Sequence, residues 1–210
     1  MIFYDYWRSS AAHRVRIALA LKGVKFERRP VNLLRAEQRD PSYLGKNPQG
    51  LVPALELDDG TVLTQSLAIT FYLESLQPTP ELIPRDPALA AKSLAVALAI
   101  ACDIHPLNNS RVAAYLREEL RVPDAGLDAW RRHWILKGGL EPVERLIEPS
   151  PFCFGAAPTI ADVCLIPQLY NARRFEAPLG HLPRILGVEA ACRELPAFIA
   201  AQPSNQTDAE

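Results

Sequence analysis

The sequence has little net charge and no paired cysteines, and each absence excludes a class of function. Its 23 basic and 24 acidic residues give a net charge of −1, which argues against a general binder of nucleic acid or of anionic membranes. The four cysteines are scattered without a Cys-x-x-Cys pair, and the four histidines lack the spacing of metal ligands. We therefore expect neither a disulfide framework nor a metal site.

The sequence also lacks a long apolar run and a signal-peptide pattern at its N-terminus, so we expect a cytoplasmic protein without a membrane span. What is present is ordinary for a soluble globular protein, with 49% hydrophobic and 22% charged residues. A chain of 210 residues is long enough for one large domain or two small ones.

The opening stretch predicts a strand, a hydroxyl-bearing turn and a helix. Residues 1–4 are apolar and aromatic, and Ser9 and Ser10 precede a run of good helix formers that reaches Lys22. Serine is a favoured N-cap, and Gly23 can take the left-handed conformation that ends a helix. The backbone amides at such a helix start can bind an anion, for example a thiolate. Taken by itself, the motif favours a simpler interpretation, in which Ser9 and Ser10 are helix caps and nothing more.

The rest of the first 77 residues completes an α/β unit. Residues 32–47 predict a loop with one helical turn, and Ser66 is predicted to cap the helix that ends the unit. A hairpin turn is predicted at Asp58-Asp59-Gly60. The other predicted elements are strands at 24–31, 54–57 and 61–64 and a helix at 67–76.

A proline-rich linker at residues 78–87 predicts the domain boundary, because four prolines interrupt any helix or central strand there. Residues 88–210 show only helical patterns. Thr159 and Asp162 match a capping box. The predicted elements of this part are helices at 88–120 with a kink at Pro106, at 127–148, from Thr159 to about Arg174 and at 183–194, a turn after Pro196, and a frayed tail from Pro203.

Several motifs resemble those of the cytosolic glutathione transferases. Val52-Pro53 resembles the turn that holds a cis-proline in these proteins, and Gln65-Ser66 resembles the pair that binds the γ-glutamyl end of glutathione. The segment Arg8-Ser9-Ser10-x-x-His13-Arg14-Val15-Arg16 resembles the signature of the zeta class, and zeta-like fragments continue over nearly the whole chain. The resemblance implies an N-terminal thioredoxin-like domain (1–77), the linker and an all-helical C-terminal domain (88–210), assembled as a homodimer.

The resemblance implies an enzyme that uses glutathione as a cofactor to isomerise the cis double bond of maleylacetoacetate. Bound glutathione would supply a thiolate that adds reversibly to the double bond and lets it rotate. Ser9 would be the main partner of this thiolate, assisted by Ser10. The other residues implied to bind glutathione are Gln38, Gln49, Val52, Gln65, Ser66, His105 and Asn109.

The substrate is a small dianionic keto acid, and its carboxylates need cations. The resemblance implies Arg8, which is adjacent to Ser9, and Arg174; Arg111 is a third candidate. The planar guanidinium group suits a carboxylate. For Arg111 and Arg173, a solvated or salt-bridged surface position is the favoured interpretation.

One position departs from the zeta signature, because Ala11 stands where cysteine is frequent. Chemistry that needs a protein thiol at this point is therefore excluded. Three alternatives remain open: isomerisation of maleylpyruvate, conjugation or dehalogenation of small electrophiles, and a non-catalytic interaction module. The joint presence of Ser9, Gln65-Ser66 and the arginines weighs against the last.

Overall fold

The chain opens with a strand–helix–strand unit whose helix begins and ends where the sequence predicts. In the computed structural model, which describes residues 1–209, β1 spans Ile2–Asp5, α1 spans Ser10–Lys22 and β2 spans Glu27–Pro30. Ser9 caps α1, and Gly23 ends it with a φ of 63°. β1 and β2 pair in parallel, as a helical connection between neighbouring strands requires.

Two further strands complete a mixed four-stranded sheet. β3 spans Ala54–Glu56 and β4 spans Val62–Thr64, and the sheet order is β2-β1-β3-β4. β3 is antiparallel to both β1 and β4. The connection from β2 to β3 contains a 3₁₀ turn at Glu37–Arg39 and the short helix α2 at Pro41–Leu44, and α3 at Ser66–Leu76 follows β4.

The strand directions bring three turns to one end of this sheet. β1 ends beside the start of β3, because Tyr4 pairs with Ala54. β4 ends there as well, because Ala54 also pairs with Thr64. The turn after β1, the turn before β3 and the turn after β4 therefore lie along the same edge. These three turns carry Ser9, Val52 and Gln65-Ser66.

An apolar cluster supports this edge from within the unit. Helix α1 packs against α3 and against α10, which spans Pro196–Ala201. Phe3 and Leu55 pair across the two central strands, and both are fully buried. The buried cluster itself consists of Tyr4, Tyr6, Trp7, Val31, Tyr43, Val52 and Ala54.

The named elements of the second unit, Ile83–Cys192, are all helices, so the predicted order of an α/β unit followed by a helical one is confirmed. Its helices are interrupted more than the sequence predicts. The expected single helix at 88–120 is four segments, and its first break comes at Ala99 rather than at Pro106. The segments are α4 at Pro87–Leu98, a π-helical stretch at Ala99–Ile104, a 3₁₀ turn at Pro106–Asn108 and α5 at Ser110–Glu118.

The expected helix at 127–148 is divided in the same way. It consists of α6 at Asp124–Arg132, a π-helical stretch at His133–Leu140 and α7 at Glu141–Leu146. The two π-helical stretches pack against each other. A π-helical turn holds an extra residue without leaving the helix axis, so the apolar spacing of the sequence stays helical and does not reveal the change.

The capping box at the start of α8 is confirmed. α8 spans Ile160–Arg174, and the Asp162 carboxylate accepts hydrogen bonds from the Thr159 amide at 2.7 Å and from the Cys153 amide at 2.8 Å. The carboxylate therefore holds the preceding loop as well as the helix start. α9 spans Pro183–Arg193.

The end of the chain returns to the first unit, which consists of Met1–Leu82 and the chain from Arg193 onward. After α10, a 3₁₀ turn covers Pro203–Asn205. The prediction of a frayed tail was wrong. Asp208 accepts a hydrogen bond from the Trp7 amide and pairs with Arg28, so the tail is bound to residues near the start of the chain.

One helical stretch has the size and polarity of a membrane span, which the sequence analysis did not expect. Pro87–Glu118 runs for 32 residues, and its most apolar window has a mean hydropathy of 1.7. Because a core helix of a water-soluble protein meets the same two criteria, length and composition alone do not distinguish the two cases.

Candidate functional site

The turn after β1 presents the Ser9 hydroxyl at the start of α1. Ser9 Oγ accepts a hydrogen bond from the Ala12 amide at 3.2 Å, and the Ser9 amide donates to the Tyr6 carbonyl at 2.9 Å. A hydroxyl that accepts one hydrogen bond still has its own proton to donate. Ser9 is half-buried, so it can cap the helix and donate to a bound anion at the same time.

Two backbone amides accompany this hydroxyl. Among residues 1–209, the amides of Ser10 and Ala11 have no hydrogen-bond acceptor, as is usual in the first turn of a helix. These donors and the positive end of the helix dipole favour a negative charge at this point. Arg8 lies immediately before Ser9, with its guanidinium 5.3 Å from the centre of the Trp7 ring.

The turn after β4 corrects one prediction. Gln65, and not Ser66, occupies the N-cap position of α3, and its side chain makes no capping hydrogen bond. Ser66 is the first helical residue, and its Oγ accepts a hydrogen bond from Arg14 Nη1 at 3.2 Å. The prediction was wrong because the left-handed conformation of Gln65 moves the helix start by one residue.

The conformation of Gln65 is itself unusual. Its φ is +68°, which costs a non-glycine residue about 1–3 kcal/mol and is found preferentially at ligand-binding positions. Its side chain is exposed, and its Nε2 donates to Gln49 Oε1 at 2.8 Å. The turn therefore places the Gln65 side chain beside that of Gln49.

Gln38 approaches the same group from the connection after β2. A Cβ atom placed on Gly50 would lie 3.2 Å from the Gln38 carbonyl, and Gly50 has a φ of 60°. Glycine is therefore required where the two segments meet. The Oε1 atom of Gln38 is buried and has no hydrogen-bond partner among the described residues. This is an acceptor that a ligand can satisfy.

The third turn at this edge contains Val52. The Val52–Pro53 peptide bond is cis, as the resemblance implies. Neither the amide nor the carbonyl of Val52 hydrogen-bonds to another of residues 1–209. The preceding carbonyl of Leu51 is held by the Tyr43 hydroxyl at 2.7 Å and by Asn47 Nδ2 at 2.6 Å. The backbone at Val52 is therefore fixed in place and has both groups available.

A network of buried ionic side chains, which the sequence did not predict, lies next to the Ser9 turn. Asp5 is fully buried between Arg16 at 2.7 Å and Arg28 at 2.8 Å. Burial raises the pKa of Asp5 and the two arginines oppose this effect. Burial and the neighbouring Arg16 and Arg14 hold the pKa of His13 well below its usual value. In the sequence, His13, Arg14 and Arg16 are the only indication of this network. Their spacing is also that of charged residues on an ordinary exposed helix face, so it does not reveal that they are buried.

Four of the predicted residues lie in the second unit. His105 stands between the π-helical stretch and the 3₁₀ turn, and Asn109 caps α5 by accepting a hydrogen bond from the Arg111 amide at 3.0 Å. Arg174 is the last residue of α8, and its guanidinium lies 5.1 Å from the centre of the Phe175 ring. The structure thus groups His105, Asn109 and Arg111, whereas Arg174 comes from a separate helix.

The four cysteines are free thiols. Cys102 is exposed and the other three cysteines are buried. Burial raises the pKa of the Cys153 and Cys192 thiols, which makes them unreactive. Within residues 1–209, no three His, Cys, Asp or Glu side chains are grouped so that they could hold a metal ion.

Two family models match the chain. Residues 8–76 match the N-terminal domain of glutathione S-transferases, and residues 124–197 match their C-terminal domain. The chain belongs to the glutathione S-transferase family. The predicted thioredoxin-like first domain followed by a helical second domain is thereby confirmed.

Curated members of this family are similar over their whole length. The chain is 47% identical to the maleylacetoacetate isomerase of Pseudomonas aeruginosa over 210 residues, which is 99% of this chain and 98% of that protein. It is 43% identical to the maleylpyruvate isomerase of a Ralstonia species, with 99% of each chain covered.

Solved structures of glutathione S-transferases agree with these relatives. A maleylpyruvate isomerase described as a zeta-class bacterial glutathione S-transferase has a TM-score of 0.95 at 42% identity, with all of both chains covered. The maleylacetoacetate isomerase of Methylobacterium extorquens, with bound malonate and glutathione, has a TM-score of 0.95 at 36% identity and the same coverage. That of Anaeromyxobacter dehalogenans, with bound dicarboxyethyl glutathione and citrate, has a TM-score of 0.89 at 41% identity and covers all of this chain and 93% of the other.

Proposed function

We propose that this protein is a glutathione-dependent cis–trans isomerase that converts maleylacetoacetate to fumarylacetoacetate in the breakdown of homogentisate and tyrosine. The observation that carries the proposal is the half-buried Ser9 hydroxyl at the N-cap of α1, which has a proton to donate. Beside it lie the amides of Ser10 and Ala11, which have no acceptor among the described residues. The names of the relatives, which share 43–47% of their residues with this chain, support the choice of reaction.

The residues of the sheet edge fit glutathione. Bound glutathione supplies a thiolate whose reversible addition makes the double bond temporarily single, so that it can rotate. The Ser9 hydroxyl and the helix start favour the charged form of a thiol, whose ordinary pKa is about 8.5. Ser10 adds an amide donor at the same point.

The remaining polar groups of the edge match the peptide part of glutathione. The free backbone groups of Val52 suit an extended peptide. Gln65 and Ser66 suit the γ-glutamyl end, because Ser66 begins a helix and has the guanidinium of Arg14 beside it. Gln38 and Gln49 complete this set of donors and acceptors. The roles of His105 and Asn109 remain predictions from the resemblance.

We assign the binding of the two substrate carboxylates to arginine side chains. Arg8 is proposed to bind one carboxylate next to the reacting sulfur, and Arg174 the other; Arg111 stays a further candidate. Malonate in one relative and a dicarboxyethyl derivative of glutathione in another support a ligand with two carboxylates. We also propose that the enzyme is a cytoplasmic homodimer, as the resemblance implies.

Maleylpyruvate is the second candidate substrate. The 43% identity to a maleylpyruvate isomerase is close to the 47% identity to a maleylacetoacetate isomerase, and both acids are dianions. A third possibility is conjugation, in which the glutathione adduct leaves as the product.

The two acids should be assayed side by side by absorbance, with and without glutathione. We expect glutathione-dependent isomerisation of both, with the higher kcat/KM for maleylacetoacetate. A higher kcat/KM for maleylpyruvate would make maleylpyruvate the first candidate substrate and maleylacetoacetate the second. Binding of glutathione without isomerisation of either acid would contradict the proposal and would indicate a conjugating transferase.

A further inference from the structure

The C-terminal tail is bound to the backbone of the turn that carries Arg8 and Ser9. Asp208 Oδ2 accepts a hydrogen bond from the Trp7 amide at 3.2 Å, and Asp208 Oδ1 pairs with Arg28 Nη2 at 2.6 Å. The two partners are separated from Asp208 by 201 and 180 residues along the chain. The Asp208 carboxylate is half-buried, with its side chain 20% exposed.

The other side of the same turn is held by Arg16. Its Nη2 donates to the Trp7 carbonyl at 2.8 Å and its Nε to the Ala201 carbonyl of α10 at 3.0 Å. Asp5 joins the two arginines, because its carboxylate pairs with both Arg16 and Arg28. The amide and the carbonyl of Trp7 are therefore each hydrogen-bonded to a charged side chain. The terminal segment supplies Asp208 for the amide, and its Ala201 carbonyl holds the Arg16 side chain that binds the Trp7 carbonyl.

This arrangement has a consequence for the residues that follow Trp7. Hydrogen bonds to charged groups are stronger than those between neutral groups. A displacement of about 1 Å at a reacting centre can lower a rate by about a hundredfold. A bond that fixes the Trp7 amide limits the positions available to the next two residues, the arginine and the serine to which we assign the chemistry.

We propose that Asp208 is a positioning residue for the active-site turn, holding the Trp7 backbone so that the Ser9 hydroxyl faces the thiolate of bound glutathione. This inference rests on the proposed function for its kinetic part. The tail is in this sense a component of the active site, although Asp208 itself touches neither glutathione nor substrate.

The test compares Asp208→Ala and Asp208→Asn with the wild type in the full chain. Two quantities are measured: kcat for the isomerisation, and the pKa of the glutathione thiol in the binary complex, from the ultraviolet absorbance of the thiolate. For Asp208→Ala we expect about a tenfold lower kcat, a KM for glutathione within twofold of wild type, and a thiol pKa higher by at least half a unit. Asparagine keeps an oxygen that can accept from the Trp7 amide, so Asp208→Asn should recover most of both effects.

The direction of the pKa change separates positioning from simple electrostatics. Removing a nearby negative charge by itself favours the thiolate and lowers the thiol pKa, whereas a misplaced Ser9 hydroxyl raises it. Asp58→Ala is the matched control, because Asp58 is an exposed carboxylate that pairs with the amino group of the other chain end, Met1. It should leave both quantities unchanged.

A purely structural role would lower the melting temperature of Asp208→Ala and leave kcat and the thiol pKa of the folded protein at wild-type values, which would overturn the proposal. An unchanged or lowered thiol pKa would overturn it as well. Failure of the proposed function is distinguishable: the wild type would then isomerise neither acid, while the thiol pKa of the glutathione complex would still report on positioning.

Discussion

The substitution Ser9→Ala tests the residue on which the proposed chemistry depends most. It removes two interactions, the hydroxyl proton available to the thiolate and the capping bond to the Ala12 amide at 3.2 Å. A lost donor to a developing or stabilised anion in an enclosed site costs about 2–4 kcal/mol in the transition state. At 1.36 kcal/mol per factor of ten, this is about a 30- to 900-fold loss in kcat/KM.

The lost cap has a separate and smaller effect. Replacing a serine N-cap by alanine lowers the free energy of unfolding by about 0.5–2 kcal/mol. Asp86→Ala provides the matched control, because Asp86 caps α4 by accepting a hydrogen bond from the Leu89 amide at 2.7 Å. Asp86→Ala should lose similar stability and retain normal turnover, while Ser9→Thr, which keeps the hydroxyl, should retain much of the activity.

The assay is steady-state isomerisation with saturating glutathione, together with a spectroscopic titration of the bound thiol. For Ser9→Ala we expect the thiol pKa to rise toward its value in free glutathione, since burial of a thiolate without its donor disfavours the charged form. Turnover of Ser9→Ala within a few-fold of wild type, in folded protein, would refute the assignment of Ser9 as the principal partner of the thiolate.

Four further predictions concern binding, strain and pH. Arg174→Ala should raise KM or lower kcat/KM for the dianion, whereas the neighbouring Arg173→Ala, which loses a pair with the buried Glu189, should not; equal kinetics for both variants would place the substrate elsewhere. Ser66→Ala should raise the dissociation constant of glutathione by about tenfold or more, and an unaltered constant by calorimetry would contradict the γ-glutamyl assignment. Gln65→Gly should raise the free energy of unfolding by about 1 kcal/mol, because it relieves the positive φ, and should weaken glutathione binding; a loss of stability would show that the conformation is not strained. His13 is held neutral in the fold with a lowered pKa, so the unfolded chain takes up its proton first and stability should fall as the pH drops below about 6.5. His13→Gln should flatten that part of a denaturation-against-pH curve, and an unchanged slope would assign it to other groups.

Several local features of both units were predictable because each depends on neighbouring residues. Ser9 and Gly23 are marked by capping chemistry, and Thr159 with Asp162 by the capping box. The cis bond at Val52–Pro53 followed from the resemblance, as did the thioredoxin-like fold. For the helix caps, a few adjacent residues decide the conformation.

The features that were missed depend on distant residues or on backbone conformation. The positive φ of Gln65 displaced the predicted cap at Ser66. The binding of the tail was hidden, because Asp208 meets Trp7 and Arg28 only once the sheet and α10 have formed. No local pattern marks an ion pair between residues 180 positions apart. The same holds for the buried Asp5, which resembles any polar residue at a strand end until its two arginines are in place.

The central claim is that glutathione acts as a cofactor and is regenerated at each turnover. The most direct test supplies glutathione at about one hundredth of the maleylacetoacetate concentration and measures the trans product together with the free thiol that remains, with an enzyme-free sample to subtract the uncatalysed reaction. We expect product in large excess over glutathione and full recovery of the free thiol. Product limited to one equivalent of glutathione, with the thiol consumed in a stable thioether, would contradict it.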